Sequence, residues 1–227
     1  MKPTLRVCSF LLLGALAYAQ AAKEANKEFT TPESRAKVAK TLADPKREER
    51  LKPKELLALL EVAPGSTVAD VGTGTGMMLP HLVEAVGPSG RVLAEDIHPD
   101  FLERIEARIK SSGWSNVTPV LGTERDPKLP AGQVDLAFIL DTYHHFDYPE
   151  EMLGHVARSL KSGGRLAIVD FYRRRRAAQD KDMSTHVRAD KDEVIKEIEG
   201  LGWKLESNRD HASNQYVLIF RFSPAKV

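Results

Sequence analysis

The most constraining stretch of the chain is Val68-Ala69-Asp70-Val71-Gly72-Thr73-Gly74-Thr75-Gly76. A short apolar run ends at three alternate glycines, and a helical pattern follows. Glycine reaches positive φ freely and lets a ligand approach the backbone without a Cβ clash, but it weakens a helix by roughly 1 kcal/mol per residue. Three glycines at a strand-to-helix junction therefore point to a ligand more than to a bare tight turn. The helix start beyond them offers unpaired N–H groups. The spacing narrows the ligand. A dinucleotide fingerprint puts its third glycine three positions after the second; here that position is Met77, and the pattern is GxGxG. The Gly-Lys-Ser/Thr ending of a phosphate loop is absent. Asp70, just before the loop, suits an ammonium group and repels a pyrophosphate.

The rest of the chain alternates in step with this unit. Apolar strands are expected at Ser66 to Val71, Arg91 to Asp96, Val117 to Leu121, Val134 to Leu140 and Arg165 to Phe171. Helices fall at Thr75 to Val86, Pro99 to Ser111 and Pro149 to Leu160. Strands apolar on both faces and separated by helices make a parallel sheet covered on both sides. Asp190 to Glu199 reads as a helix with a capping box. Trp203 to Ser207 and Gln215 to Phe222 follow as strands with no helix between them, so they pair antiparallel. Upstream, Thr31-Pro32-Glu33 and Asp44-Pro45 carry helix-start signals, and Pro53 opens a third helix. The fold class is therefore α/β: a Rossmann-like, mostly parallel seven-stranded sheet with helices on both faces and an antiparallel C-terminal strand.

Residues 1–19 read as a cleavable export signal. Lys2 and Arg6 precede the apolar run Val7 to Ala17, and Ala17-Tyr18-Ala19 fits a small-x-small cleavage site before Gln20. That places the mature protein in the periplasm or outside the cell, with an uncleaved membrane anchor as the alternative; the run is short of the about 20 residues a span needs. Cleavage removes Cys8, the only cysteine, and with it any disulfide or thiolate chemistry. It also takes Lys2 and Arg6 from 33 basic residues, leaving 31 against 32 acids. A near-neutral protein has no broad drive toward nucleic acid, and no stable membrane insertion is expected after cleavage. Residues 20–52 are expected to form an extension, flexible from Ala21 to Phe29 and helical beyond, with one domain at 53–227.

Asp-Val-Gly-Thr-Gly-Thr-Gly at 70–76, followed by Ala94-Glu95-Asp96-Ile97-His98-Pro99, resembles the class I S-adenosylmethionine-dependent methyltransferases. The two-strand tail agrees with that family's terminal antiparallel strand. The resemblance implies S-adenosyl-L-methionine as cofactor. Gly72, Thr73, Gly74 and Gly76 would pack against its methionine and ribose parts, and Asp70 would lie near its amino group. Asp96 would accept from the ribose hydroxyls, with Glu95 as competitor and a helix N-cap as the plainer role for Asp96. Ile97 would pack on the adenine, and Asp141 would sit beside the transferable methyl. The family often has Gly-Asp after the third strand. This chain has Gly122-Thr123-Glu124, so Thr123 or Glu124 either meets the adenine amine or is an ordinary loop residue.

Asp141-Thr142-Tyr143-His144-His145-Phe146 follows the fourth strand, where open α/β sheets place their ligands. The resemblance extends here, since methyltransferases of small molecules often carry a His-rich stretch at this point. His144 is the candidate general base, ahead of His145. Adjacent histidines share no face and give no metal spacing, so no metal is expected. Arg173 to Arg176 either captures an anionic substrate or forms a solvated loop, the second being favoured. Tyr143, Tyr172, Arg47, Arg50 and Lys52 are candidates for a substrate lid. No Asn/Asp-Pro-Pro-Tyr stretch occurs, which lowers a nucleic-acid substrate. The expected activity is methyl transfer to a small-molecule acceptor. The alternatives are a non-catalytic binder of the cofactor or its demethylated product, and, further off, an NAD(P)-dependent oxidoreductase. The oligomeric state is not legible.

Overall fold

The computed structural model describes residues 22–178, 180–212 and 214–223. The export signal expected over residues 1–19 lies outside them. Among the described residues no helix is long and apolar enough to cross a membrane.

Seven strands form one sheet: β1 (Thr67–Val71), β2 (Arg91–Asp96), β3 (Val117–Leu121), β4 (Val134–Leu140), β5 (Leu160–Phe171), β6 (Trp203–His211) and β7 (Gln215–Phe222). Their order is β3-β2-β1-β4-β5-β7-β6. β1 pairs parallel with both β2 and β4, whereas β7 runs antiparallel to β5 and β6. The period-2 alternation of each strand splits the core into two layers. Ala69, Val71, Leu93, Ile139 and Ile168 pack on one face with Met152, Leu153 and Val156. Val68, Val92, Ala94, Phe138 and Val169 pack on the other with Leu56, Leu60, Leu79, Leu82 and Ile105. Burial on both faces is why these strands read as continuous apolar runs.

Besides a short helical stretch at residues 22–26, seven helices accompany the sheet among the described residues: α1 (Pro32–Leu42), α2 (Pro45–Leu51), α3 (Pro53–Leu60), α4 (Leu79–Val86), α5 (Pro99–Ser112), α6 (Pro149–Ser159) and α7 (Lys191–Gly200). The start signals act as expected. Thr31 caps α1 ahead of Pro32, Asp44 caps α2 ahead of Pro45, and Asp190 with Glu193 closes a capping box on α7.

Four segments differ from the sequence reading, the first being β6, which runs four residues past Ser207 to His211. α4 begins at Leu79 instead of Thr75, because Gly74 (φ +56°) and Gly76 (φ +73°) take left-handed backbone that interrupts a right-handed helix. β5 starts at Leu160, five residues early, with a register shift against β4 between Val134 and Leu136. The polar stretch at 22–29, expected to be flexible, is helical through residue 26 and ends in a 3-10 turn at Lys27–Phe29, with Ala22 and Ala25 buried. It is held by contacts to segments more than a hundred residues away, which no local pattern reveals.

Candidate active site

In this strand order β2 and β3 lie to one side of β1, and β5 lies beyond β4 on the other, so β1 and β4 flank the point where the connections diverge. Ligands bind outside the carboxyl ends of strands at such a point. A cavity of ≈ 750 Å³ opens there, within the range of small-molecule sites. Its floor is the glycine loop after β1 and the ends of β2 and β4. Its roof is the N-terminal segment: Asn26, Phe29, Leu42 and Arg47 all line it.

On one side sits a set of carboxylates tied to the loop backbone. Asp96 Oδ2 accepts the Gly74 N–H at 2.9 Å, and Oδ1 accepts the His98 N–H at 2.9 Å. Glu95 Oε2 accepts the Gly72 N–H at 3.1 Å, while Oε1 is buried with no partner among the described residues. Asp70 accepts the Thr73 hydroxyl at 2.8 Å. All three are buried. Desolvation pushes Asp70 up to about 7, Asp96 up to about 6 and Glu95 well above the usual carboxylate range, with Asp96 adding like-charge repulsion to both neighbours. A desolvated acidic hollow of this kind favours a cation and disfavours a phosphate. S-adenosylmethionine, with its sulfonium and ammonium, fits that donor set.

The other side is built on β4 and β5. Asp141 directly follows β4 in left-handed backbone (φ +50°), an uncommon state for a residue with a Cβ. Its Oδ2 meets Arg47 Nη2 at 2.8 Å and its Oδ1 accepts from Gln215 Nε2 at 2.5 Å. His144 is 3% exposed. Its Nδ1 lies 2.6 Å from Asp170 Oδ1. Asp170 also accepts the backbone N–H of Phe171 on Oδ1 and of His144 on Oδ2. Burial pushes the Asp170 carboxyl up to about 7 against the pull of those two backbone N–H groups; with the carboxylate accepting from them, Nδ1–H donates and the Nε2 lone pair stays free. Nε2 is buried without a partner among the described residues. Burial, with the neighbouring His186 adding to it, pushes His144 down to about 3, so the ring is neutral at pH 7.

Residues 69–166 match the family of methyltransferase domains. That stretch, under half of the chain, is similar to methyltransferase domains. Similar proteins include the nocamycin O-methyltransferase of Saccharothrix syringae (31% identical over 115 residues, 51% of this chain and 41% of the relative) and a ubiquinone/menaquinone biosynthesis C-methyltransferase of Bordetella parapertussis (31% over 112 residues, 49% and 43%). The match thus spans under half the length of these curated relatives. A solved S-adenosylmethionine-dependent methyltransferase from Aquifex aeolicus is 27% identical with a TM-score of 0.75, covering 81% of this chain and 96% of that one. Sequence match and structural likeness agree on the Rossmann-like α/β fold.

Within this domain the residues singled out from the sequence separate into groups. Asp70, Gly72, Thr73, Gly74, Asp96, Ile97, Glu124, Asp141 and His144 line the cavity. Gly76 does not: a Cβ there would lie 2.6 Å from Ile105 Cδ1 and 2.7 Å from Leu79 Cδ1, so this glycine serves helix packing. Thr123 is spent on its own turn, exchanging hydrogen bonds with Asp126, and lines a separate surface pocket. Both Glu95 and Asp96 reach the cavity, so the competition between them reduces to one carboxylate with a free oxygen and one holding two amides. Of the lid candidates only Arg47 lines the cavity. Tyr143 is buried with its hydroxyl on Glu197, Tyr172 bonds Asp210, and Lys52 pairs with Glu55. Arg174 to Arg176 are exposed, and Arg176 stacks over Tyr172 and pairs with Asp210, which matches the solvated-loop reading.

The sequence reading missed Thr142, Asp170, Asn26, Phe29 and His186. Thr142 has a physical signature only in space: a Cβ on Gly72 would stand 2.3 Å from its Cγ2. Asp170 had a legible signal, an acid ending an apolar strand, as Asp96 and Asp141 do. Asn26, Phe29 and His186 come from segments without motif. Asn26 Nδ2 donates to the His145 carbonyl, its Oδ1 lies 2.8 Å from His145 Nδ1, and Phe29 stacks on His98.

Proposed function

We propose that the chain is an S-adenosylmethionine-dependent methyltransferase acting on a small-molecule acceptor. The observation that carries this reading is the hollow lined by buried acids at the switch point, with a buried Asp170–His144 pair beside it. On this reading the bound cofactor supplies a methyl group on a positively charged sulfur. Asp96, and Glu95 through its free oxygen, hold the ribose hydroxyls. Asp70 faces the ammonium. Ile97 and Glu124 flank the base, Ile97 by apolar contact and Glu124 by hydrogen bonding. Asp141, clamped by Arg47 and Gln215, stands beside the reacting centre; burial pushes its carboxyl up, against the opposing pull of Arg47.

His144 then takes the proton that the acceptor's hydroxyl, thiol or amine releases as it attacks. The acceptor-to-carbon bond forms, the sulfur-to-carbon bond breaks with its electron pair on sulfur, and the proton ends on Nε2. Asp170 orients the ring and stabilises the cation that forms, the task of the carboxylate in a histidine dyad. The roof from the N-terminal segment excludes water and holds the two reactants together. Orientation of this kind supplies about 7–11 kcal/mol. The cavity size and the mixed apolar lining favour a small acceptor over a macromolecule. We further propose that the protein is exported, as residues 1–19 suggest.

Calorimetry on the folded protein tests the reading. S-adenosylmethionine and its demethylated product are expected to bind one per chain, and NADH is expected not to bind. NADH binding with no response to the other two would overturn it. Binding of both cofactor forms with no turnover on any phenol, thiol or amine tried would favour the non-catalytic binder.

A further inference from the structure

The fold brings a third imidazole to the histidine pair. His186, from the loop before α7, stacks edge-on against both neighbours, with ring centroids 4.8 Å from His144 and 5.3 Å from His145. One ring nitrogen from each of the three lies within 4.8 Å of the others, and all three line the cavity.

Each ring is presented as a metal ligand should be. His144 has Nδ1–H on Asp170 and a buried, unpartnered Nε2. His145 has Nδ1 against Asn26 Oδ1 at 2.8 Å. Because the Asn26 amide nitrogen already donates to the His145 carbonyl and to Asp147, its oxygen must accept, which leaves the His145 Nε2 lone pair free as well. Second partners that hold Nδ1–H and aim Nε2 are the usual outer shell of metal-bound histidines. His186 has no side-chain hydrogen bond among the described residues and is half-buried, so it can swing. Nitrogens around a tetrahedral ion stand ~3.3 Å apart for bonds of about 2.0 Å, so closing the cluster takes at most about 1.5 Å of approach between any two rings. The charge balance also suits a cation. Asp141, Asp170 and Glu28 act on the cluster against Lys181 and Arg188.

We infer that His144, His145 and His186 form a three-histidine site for a late first-row divalent ion of the Zn²⁺ class, with its fourth position open to the cavity. Imidazole is a good ligand for such ions, and three protein ligands plus an open position is the pattern of catalytic sites. The inference rests on the methyltransferase reading for its purpose. An acceptor hydroxyl or thiol bound at the fourth position gives its proton to water, and the resulting anion attacks the methyl group, whose bond to sulfur breaks with the pair left on sulfur. His144 is then a ligand in the metal-loaded protein and the base in the metal-free one. The expectation from sequence that no metal binds rested on the local His-His spacing alone, and the third imidazole is invisible at that range.

Co²⁺ titration of the tag-free full chain, read by the visible absorption of tetrahedral cobalt and by calorimetry, tests this. One Co²⁺ per chain, displaced by Zn²⁺, is expected. His186→Gln and His145→Gln, checked for folding by circular dichroism, should each weaken binding at least about tenfold, and Asp170→Asn roughly 10–100-fold. Unchanged affinity in His186→Gln would overturn the site, as would the absence of the tetrahedral band in protein that still binds S-adenosylhomocysteine. A cobalt band in protein that fails to bind S-adenosylhomocysteine would support the metal site and overturn the methyltransferase reading instead.

Discussion

The two sides of the cavity are built differently. On the proposed reading the cofactor side comes from a compact stretch: the loop after β1 and the end of β2 contribute Asp70, Gly72, Gly74, Glu95, Asp96 and Ile97, with the Gly72 and Gly74 amides donating to Glu95 and Asp96 and the Thr73 hydroxyl donating to Asp70. The acceptor side is assembled from four distant segments, with Asn26 and Phe29 from the N-terminus, Asp141 to His145 after β4, Asp170 on β5 and His186 before α7. The first side is constrained by backbone geometry, so few residue types serve there. The second is constrained by side-chain contacts that any of several scaffolds can supply. A site of this kind keeps one ligand while its second half is free to accept another, and substitutions should therefore act on one ligand at a time.

The sharpest way to break that separation is His144→Ala. Loss of a positioned base is expected to slow turnover roughly 10²–10⁴-fold, while calorimetric affinity for S-adenosylhomocysteine changes less than about twofold. An equal loss of both would show that the two sides are one unit. Asp96→Ala should do the converse. It removes a charged acceptor for two hydroxyls and frees the Gly74 and His98 amides, each such bond being worth about 1.5–3 kcal/mol, so cofactor affinity should fall roughly 10–100-fold or more. Turnover at saturating cofactor should fall far less.

A smaller effect of known sign comes from pH. Asp70 and Asp96 are raised to about 7 and about 6 by burial. A cation bound beside them needs them ionised, so affinity should drop as pH falls, by about tenfold per unit below pH 6 for Asp96 alone. The ligand-free fold should show the opposite trend. A carboxyl whose pKa is higher folded than unfolded contributes stability that is complete below its unfolded value near 4 and is lost as pH rises from there through the folded values of about 6 and about 7. Thermal midpoints without cofactor should therefore fall between about pH 4 and 7, and the stabilisation that cofactor adds should grow over the same interval. A cofactor-induced shift independent of pH would separate the carboxylates from the ligand.

The legible part of the protein follows from the same contrast. Strand alternation is a local signal, and β1 to β4 lie close to where their apolar runs place them. The glycine loop is legible because positive φ restricts its residues. What failed was what only space decides. Gly76 looks like Gly72 and Gly74 in the sequence, yet Ile105 and Leu79 occupy the room its side chain would take. Thr123 follows β3 as a ligand would, yet turns back on Asp126. Residues 22–29 have the composition of a loose tail, and two buried alanines with one asparagine anchor them over the site. Asp170 was within reach, since the strands on both sides of the switch point end in acids.

Asn26 ties the roof to the histidine half alone, and it should give the smallest and most selective effect. Its amide makes three contacts, to the His145 carbonyl, His145 Nδ1 and Asp147. Each is part-buried and worth about 0.5–1.5 kcal/mol, and part of the loss in Asn26→Ala is recovered when water enters. None of the three touches the glycine loop or Asp96. The substitution is therefore expected to raise the acceptor KM a few-fold and to increase protease cleavage near residues 22–30, with cofactor affinity unchanged. A matching loss of cofactor affinity would mean that the N-terminal roof closes both halves as one piece, and the contrast between a locally built pocket and a remotely assembled one would no longer describe how this cavity works.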